Sequence, residues 1–97
     1  MQNAFDRCYR AVPVTLSNVR PVNGRVALKC FKHACPACRS FDADGRKAFE
    51  EELNVSHILP WSCDDPSLRR QAMKVGVTDL PAYIVLDSKN VKVVRPP

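Results

Sequence analysis

The spacing of hydrophobic and polar positions changes several times along the chain, and each change marks an element. Arg25 to Phe31 (RVALKCF) is almost continuously apolar, interrupted at Lys29, and predicts a buried strand. Asn23-Gly24, just before it, is a turn signal. Further upstream, Asn3 to Arg10 predicts a short helix. Val12 to Leu16 reads as an edge strand, because Pro13 lacks the amide that a central strand needs. From Cys35 the period becomes helical. Phe41, Ala48, Phe49 and Leu53 have helical spacing, and Gly45 is expected to bend or break that helix in the middle.

Val55 to Trp61 is a second apolar run of strand length, punctuated by Pro60. Asp65-Pro66 then opens a helix: Asp65 caps, Pro66 fits the first helical position, and Gly76 stands just past the end. Leu68, Ala72 and Val75 form its apolar face. Tyr83 to Leu86 and Val91 to Val94 read as two strands of a hairpin joined by Asp87-Ser88-Lys89-Asn90. The predicted order is β, β, α, β, α, β, β. Crossovers between the first three strands suit parallel pairing, and the last two strands pair antiparallel. The expected class is α/β, with a mixed sheet and flanking helices. Trp61, Phe31, Phe41 and Phe49 are its expected aromatic core.

Composition narrows the class without naming a function. A chain of 97 residues suits one domain, and 45% hydrophobic with 26% charged residues is an ordinary globular balance. The start, MQNAFDRCYR, has no apolar stretch of the signal-peptide kind, and no run of roughly eighteen apolar residues occurs. The expectation is a cytoplasmic protein that does not enter a membrane. The net charge of +5 is carried by the first third, where Arg7, Arg10, Arg20, Arg25, Lys29 and Lys32 face only Asp6. This is either a solvated basic surface or a face that attracts acidic partners. The basic residues are dispersed and no nucleic-acid motif accompanies them, so nucleic acid is not an expected partner.

The candidate chemistry lies in the cysteines. There are five, Cys8, Cys30, Cys35, Cys38 and Cys63. One close pair with three scattered singles suits an intracellular thiol protein better than a disulfide scaffold. In Cys35-Pro36-Ala37-Cys38 the first cysteine begins a helix, where unpaired amides and the positive helix end favour a thiolate. Cys35 is then the nucleophile towards a substrate disulfide, and Cys38 resolves the mixed disulfide. Lys32, His33 and Arg39 add positive charge that would tune the Cys35 pKa further. A Cys-x-x-Cys pair is also half of a zinc site, with His33, Cys30, His57 and Cys63 as the other candidates if the fold gathers them. Otherwise Cys8, Cys30 and Cys63 read as structural.

The order of apolar strand, Cys35-Pro36-Ala37-Cys38 on a helix, strand, helix, the loop Val77-Thr78-Asp79-Leu80-Pro81-Ala82 and a final hairpin resembles the thioredoxin family from about Arg25 to Val94. The resemblance implies a cis Leu80-Pro81 peptide beside the dithiol. It also implies that the Leu80 backbone pairs with an extended substrate segment. The Cys-Pro-x-Cys form is similar to that of glutaredoxins and bacterial oxidases, but Thr78 sits one residue early for the glutaredoxin pattern. Glutathione specificity is not implied.

Three positions depart from the family. Lys29 stands where many thioredoxins have a buried acid; it either snorkels to the surface or, with a depressed pKa, acts as a base. Ala34 replaces the usual aromatic beside the first cysteine. The C-terminal helix is absent, which would leave one sheet face partly bare, so that either another segment covers it or a partner does, and a homodimer is one expectation. The resemblance implies a thiol–disulfide oxidoreductase that needs no cofactor or metal. Its partners would be protein disulfides or thiols, with a thiol reductase or oxidase recycling it. The alternative is a redox-weak interaction module on the same fold.

Overall fold

A computed structural model describes residues 15–97. The predicted Asn3–Arg10 helix, Cys8 and most of the predicted Val12–Leu16 strand lie outside the described residues. The described chain runs α1 (Leu16–Val19), β1 (Val26–Phe31), α2 (Pro36–Ala43), α3 (Arg46–Leu53), β2 (His57–Ser62), α4 (Pro66–Lys74), β3 (Ala82–Leu86) and β4 (Val91–Val94).

Leu16 is helical, not extended as its pattern suggested. The cause is local: the Thr15 side chain accepts the Asn18 amide at 3.2 Å and caps a single turn. The Leu16 amide also donates to the side-chain carbonyl of Gln71 on α4 at 3.0 Å, so α1 is docked as well as capped.

The strands form one mixed sheet in the order β2-β1-β3-β4. β1 and β2 are parallel, with Val26 opposite His57 and Phe31 opposite Ser62. β3 runs antiparallel to both β1 and β4. Pro60 is accommodated because β2 is the edge among the described strands. The hairpin turn is closed by Asp87, whose carboxylate accepts the amides of Lys89 and Asn90 at 2.8 and 2.6 Å.

Both faces of the sheet are covered. On one, Val26, Leu28, Cys30, Trp61, Ile84 and Leu86 pack with Ala72 of α4, flanked by Leu16, Val19, Leu68 and Val75. The Trp61 indole donates to the Leu68 carbonyl at 2.9 Å and fastens α4 to β2. On the other face, Ala27, Tyr83 and Val85 lie beneath Phe41, Phe49 and Leu53 of α2 and α3. Each large side chain buried this way contributes about 1.5–3 kcal/mol.

Of the two ways to cover the face left by a missing last helix, the structure shows another segment of the chain. No helix follows β4 among the described residues, yet Tyr83 is fully buried, because α2 and α3 together span the surface above it. The Phe41, Phe49 and Tyr83 rings meet edge-on or tilted at 5.3–6.1 Å, and the buried phenol donates to Glu50. Burial and the adjacent Glu50 carboxylate push the Tyr83 pKa up. Phe31, expected in the core, is only half-buried at the end of β1 and belongs to neither cluster.

Gly45 breaks the helix as expected, separating α2 from α3. Its φ of 115° lies where L side chains are strained, although a Cβ there would meet nothing within 4 Å. The requirement is therefore one of backbone conformation, not of space.

Candidate active site

The carboxyl end of β1 delivers the chain to the dithiol. Cys35 leaves the strand direction with an extended backbone and forms the N-cap of α2, with Pro36 occupying the first turn. The Cys35 sulfur accepts the Cys38 amide at 3.2 Å, and the Cys35 carbonyl accepts the Arg39 amide at 3.1 Å. One helix-end donor thus points at the first sulfur. Cys35 and Cys38 are joined in a disulfide with Cα atoms 5.3 Å apart. Cys35 is 9% exposed and Cys38 3%, so the first cysteine is the more accessible of the pair.

The peptide between Leu80 and Pro81 is cis. Two cavities flank it. One, of about 360 Å³, is lined by Pro81 together with Ala37, Ser40 and Phe41, so Pro81 shares a concavity with the helix that begins at the dithiol. The other, of about 570 Å³, is lined by Leu80 with Thr78, Lys32, Cys63, Arg69 and Met73. The loop is tied to the end of the chain by the Arg95 guanidinium, which donates to the Thr78 hydroxyl at 2.8 Å.

The predicted charged residues are distributed differently from expectation. His33 is exposed. Its backbone amide donates to Asp64 at 3.0 Å, and its Nδ1 shares the same carboxylate oxygen. Facing an acceptor-only carboxylate, Nδ1 carries a proton, which leaves Nε2 directed away from Asp64. These hydrogen bonds hold the Asp64 carboxyl below its ordinary pKa. Together they clasp the loop before Cys35 to the loop after β2. The His33 ring also meets Phe31 edge-on at 6.0 Å, which accounts for where that half-buried phenylalanine packs.

Lys32 is half-buried in the wall of the larger cavity, where its charge acts on Cys63 and Asp64. Arg39 is exposed on α2. Lys29 does not snorkel. Its side chain is 10% exposed, with the ammonium 3.0 Å from Asp42 and 5.5 Å from the centre of the Phe31 ring. A carboxylate on α2 has come to the lysine, satisfying a charge that burial alone would make costly.

Asp42, Asp64 and Arg69 were not singled out by the sequence. Each is an ordinary helix or loop residue whose role depends on an approach across the fold. Cys30 and Cys63 are buried free thiols. Among the described residues, no group of three or more His, Cys, Asp or Glu side chains gathers to hold a metal ion, and no helix is long and apolar enough to cross a membrane. The chain matches no protein-family model and no curated protein sequence.

Proposed function

We propose that this chain is a dithiol–disulfide oxidoreductase of thioredoxin-like architecture, working through Cys35 and Cys38. The observation that carries the reading is a dithiol capping the N-terminus of α2, with Pro81 lining a concavity of the same helix. The mixed sheet, with parallel β1 and β2 and an antiparallel hairpin, is compatible with a thioredoxin-like architecture.

In the reducing direction, the Cys35 thiolate attacks one sulfur of a substrate disulfide. A Cys35–substrate bond forms, the substrate S–S bond breaks, and the departing thiolate takes a proton from solvent. Cys38, as thiolate, then attacks the Cys35 sulfur. The internal disulfide forms, and the substrate's second sulfur leaves as a thiol after protonation. The Cys38 amide stabilises negative charge on Cys35 before attack. Leu80 presents backbone to an extended substrate segment, while Pro81 offers no amide proton to compete for the thiolate.

Turnover of a disulfide-linked peptide under a dithiol reductant tests this. The native chain should catalyse its reduction and Cys35→Ser should not. Full turnover by the Cys35→Ser chain would overturn the proposal.

A further inference from the structure

A second pair of thiols lies outside the dithiol described above. Cys30, on β1, is fully buried, and Cys63, one residue beyond β2, is 5% exposed. Both belong to the apolar cluster containing Trp61 and Ala72. The parallel ladder sets Cys30 against Trp61, and the Cys63 amide continues it by donating to the Phe31 carbonyl at 2.8 Å. The two side chains therefore project from neighbouring strand ends onto one face, close enough for each thiol to act on the other's titration, and the Cys30 thiol donates to the Leu28 carbonyl at 3.9 Å.

Only one of them can be reached from outside. Cys63 lines the cavity of about 570 Å³, in company with the cations Lys32 and Arg69 and the apolar Met73 and Leu80. Cys30 stands behind it and does not line the cavity. This is the layout of an entry thiol backed by a resolving thiol.

We propose that Cys63 and Cys30 form a second, separate dithiol that closes to a disulfide when a small anionic disulfide enters the cavity. The Cys63 sulfur attacks the reagent disulfide RSSR, forming Cys63–SR and expelling one RS⁻. Cys30 gives up its proton to solvent and attacks the Cys63 sulfur. The Cys30–Cys63 bond forms and the second RS⁻ leaves. The sum is two thiols plus RSSR giving one protein disulfide plus two RSH, with no other oxidant required.

The electrostatics assign the same order of attack. Burial and the neighbouring Cys63 together push the Cys30 thiol up to about 12, against the lowering charge of Lys29. Burial also raises Cys63, but the adjacent Cys30 thiol and the charges of Lys32 and Arg69 oppose that, with Asp64 acting against them. Of the two, Cys63 is the better thiolate. The inference does not rest on the role proposed for Cys35 and Cys38.

The test uses the full chain carrying Cys8→Ser, with Cys35–Cys38 oxidised, so that Cys30 and Cys63 are its only thiols. The probe is 5,5′-dithiobis(2-nitrobenzoate), an anionic aromatic disulfide that releases a coloured thiolate at each step. The proposal predicts two coloured equivalents per folded chain, a protein lighter by two hydrogens, and a Cys30–Cys63 cross-linked peptide. Adding Cys30→Ser should stop the reaction at one equivalent, with the adduct retained on Cys63. A stable single adduct in the chain that keeps Cys30 would overturn the proposal. So would release only after unfolding, or a cross-link to Cys35 or Cys38 in place of Cys30–Cys63.

Discussion

The Lys29 ammonium and the Asp42 carboxylate form an ion pair at 3.0 Å, the lysine side chain 10% exposed and the aspartate 40%. Removing one partner from a buried pair costs about 3–5 kcal/mol, because the other charge is left without compensation. Asp42 is partly solvated here, which reduces the cost. Asp42→Ala should therefore destabilise the fold by about 2 kcal/mol, and Lys29→Met in the same chain should recover most of the loss. Chemical denaturation of the single and double variants provides the comparison.

The His33–Asp64 clasp gives a different signature. Asp64 is at the surface, so Asp64→Asn should leave the denaturation midpoint nearly unchanged. Its effect should fall on exchange at Cys35, because the amide oxygen that replaces the carboxylate accepts the same two His33 contacts more weakly, without its charge. The expected result is slower release of the first substrate thiol and a changed His33 ring tautomer, read by stopped-flow kinetics and by nitrogen chemical shifts. The Asp64 pKa is depressed in the folded state, so the clasp is complete above its ordinary carboxyl value of 3.8 and is lost as pH falls through the lower folded value.

How far the sequence reveals these features depends on their range. Pro36, Gly45 and Asp65 act through their own backbone or its nearest turn, and are legible from residue type and spacing, whereas the cis Leu80–Pro81 peptide was implied by the family resemblance alone. The cap at Asp65, for example, accepts the Ser67 amide at 2.8 Å. Leu16 was misread because Thr and Leu suit a strand as well as a capped turn, and docking against Gln71 helps hold the turn. Lys29 was read as a surface-seeking intrusion because nothing adjacent in sequence reveals that Asp42 folds over it. The wall of the larger cavity, drawn from α4 and the loops after β1, after β2 and before β3, has no local signature at all.

Backbone conformation at Gly45 supplies a third prediction. An L residue in the left-handed region costs about 1–2 kcal/mol. Since no neighbour obstructs a Cβ at Gly45, Gly45→Ala should cost about 1 kcal/mol in denaturant unfolding, without the larger penalty of a clash.

Alkaline titration offers a fourth. In the folded chain Cys30 is raised from 9.0 to about 12, while in the unfolded chain it titrates near its ordinary value. Between those values the unfolded state binds fewer protons than the folded state, so stability falls as pH rises. Below about pH 9 the contribution is fully present. Cys30→Ala should lose stability at neutral pH from the smaller side chain but show a shallower decline above pH 9. The raised Tyr83 pKa leaves a further alkaline decline in both chains.

The role of Cys35 and Cys38 is tested most directly by trapping the intermediate. The reduced Cys38→Ser chain is mixed with a disulfide-linked peptide, and the product is mapped by intact mass and fragmentation. The account predicts one dominant covalent adduct, a mixed disulfide at Cys35 that persists because no Cys38 thiol can resolve it. An unmodified Cys35 after the native chain has reduced the same peptide, or attachment at another cysteine instead, would contradict it.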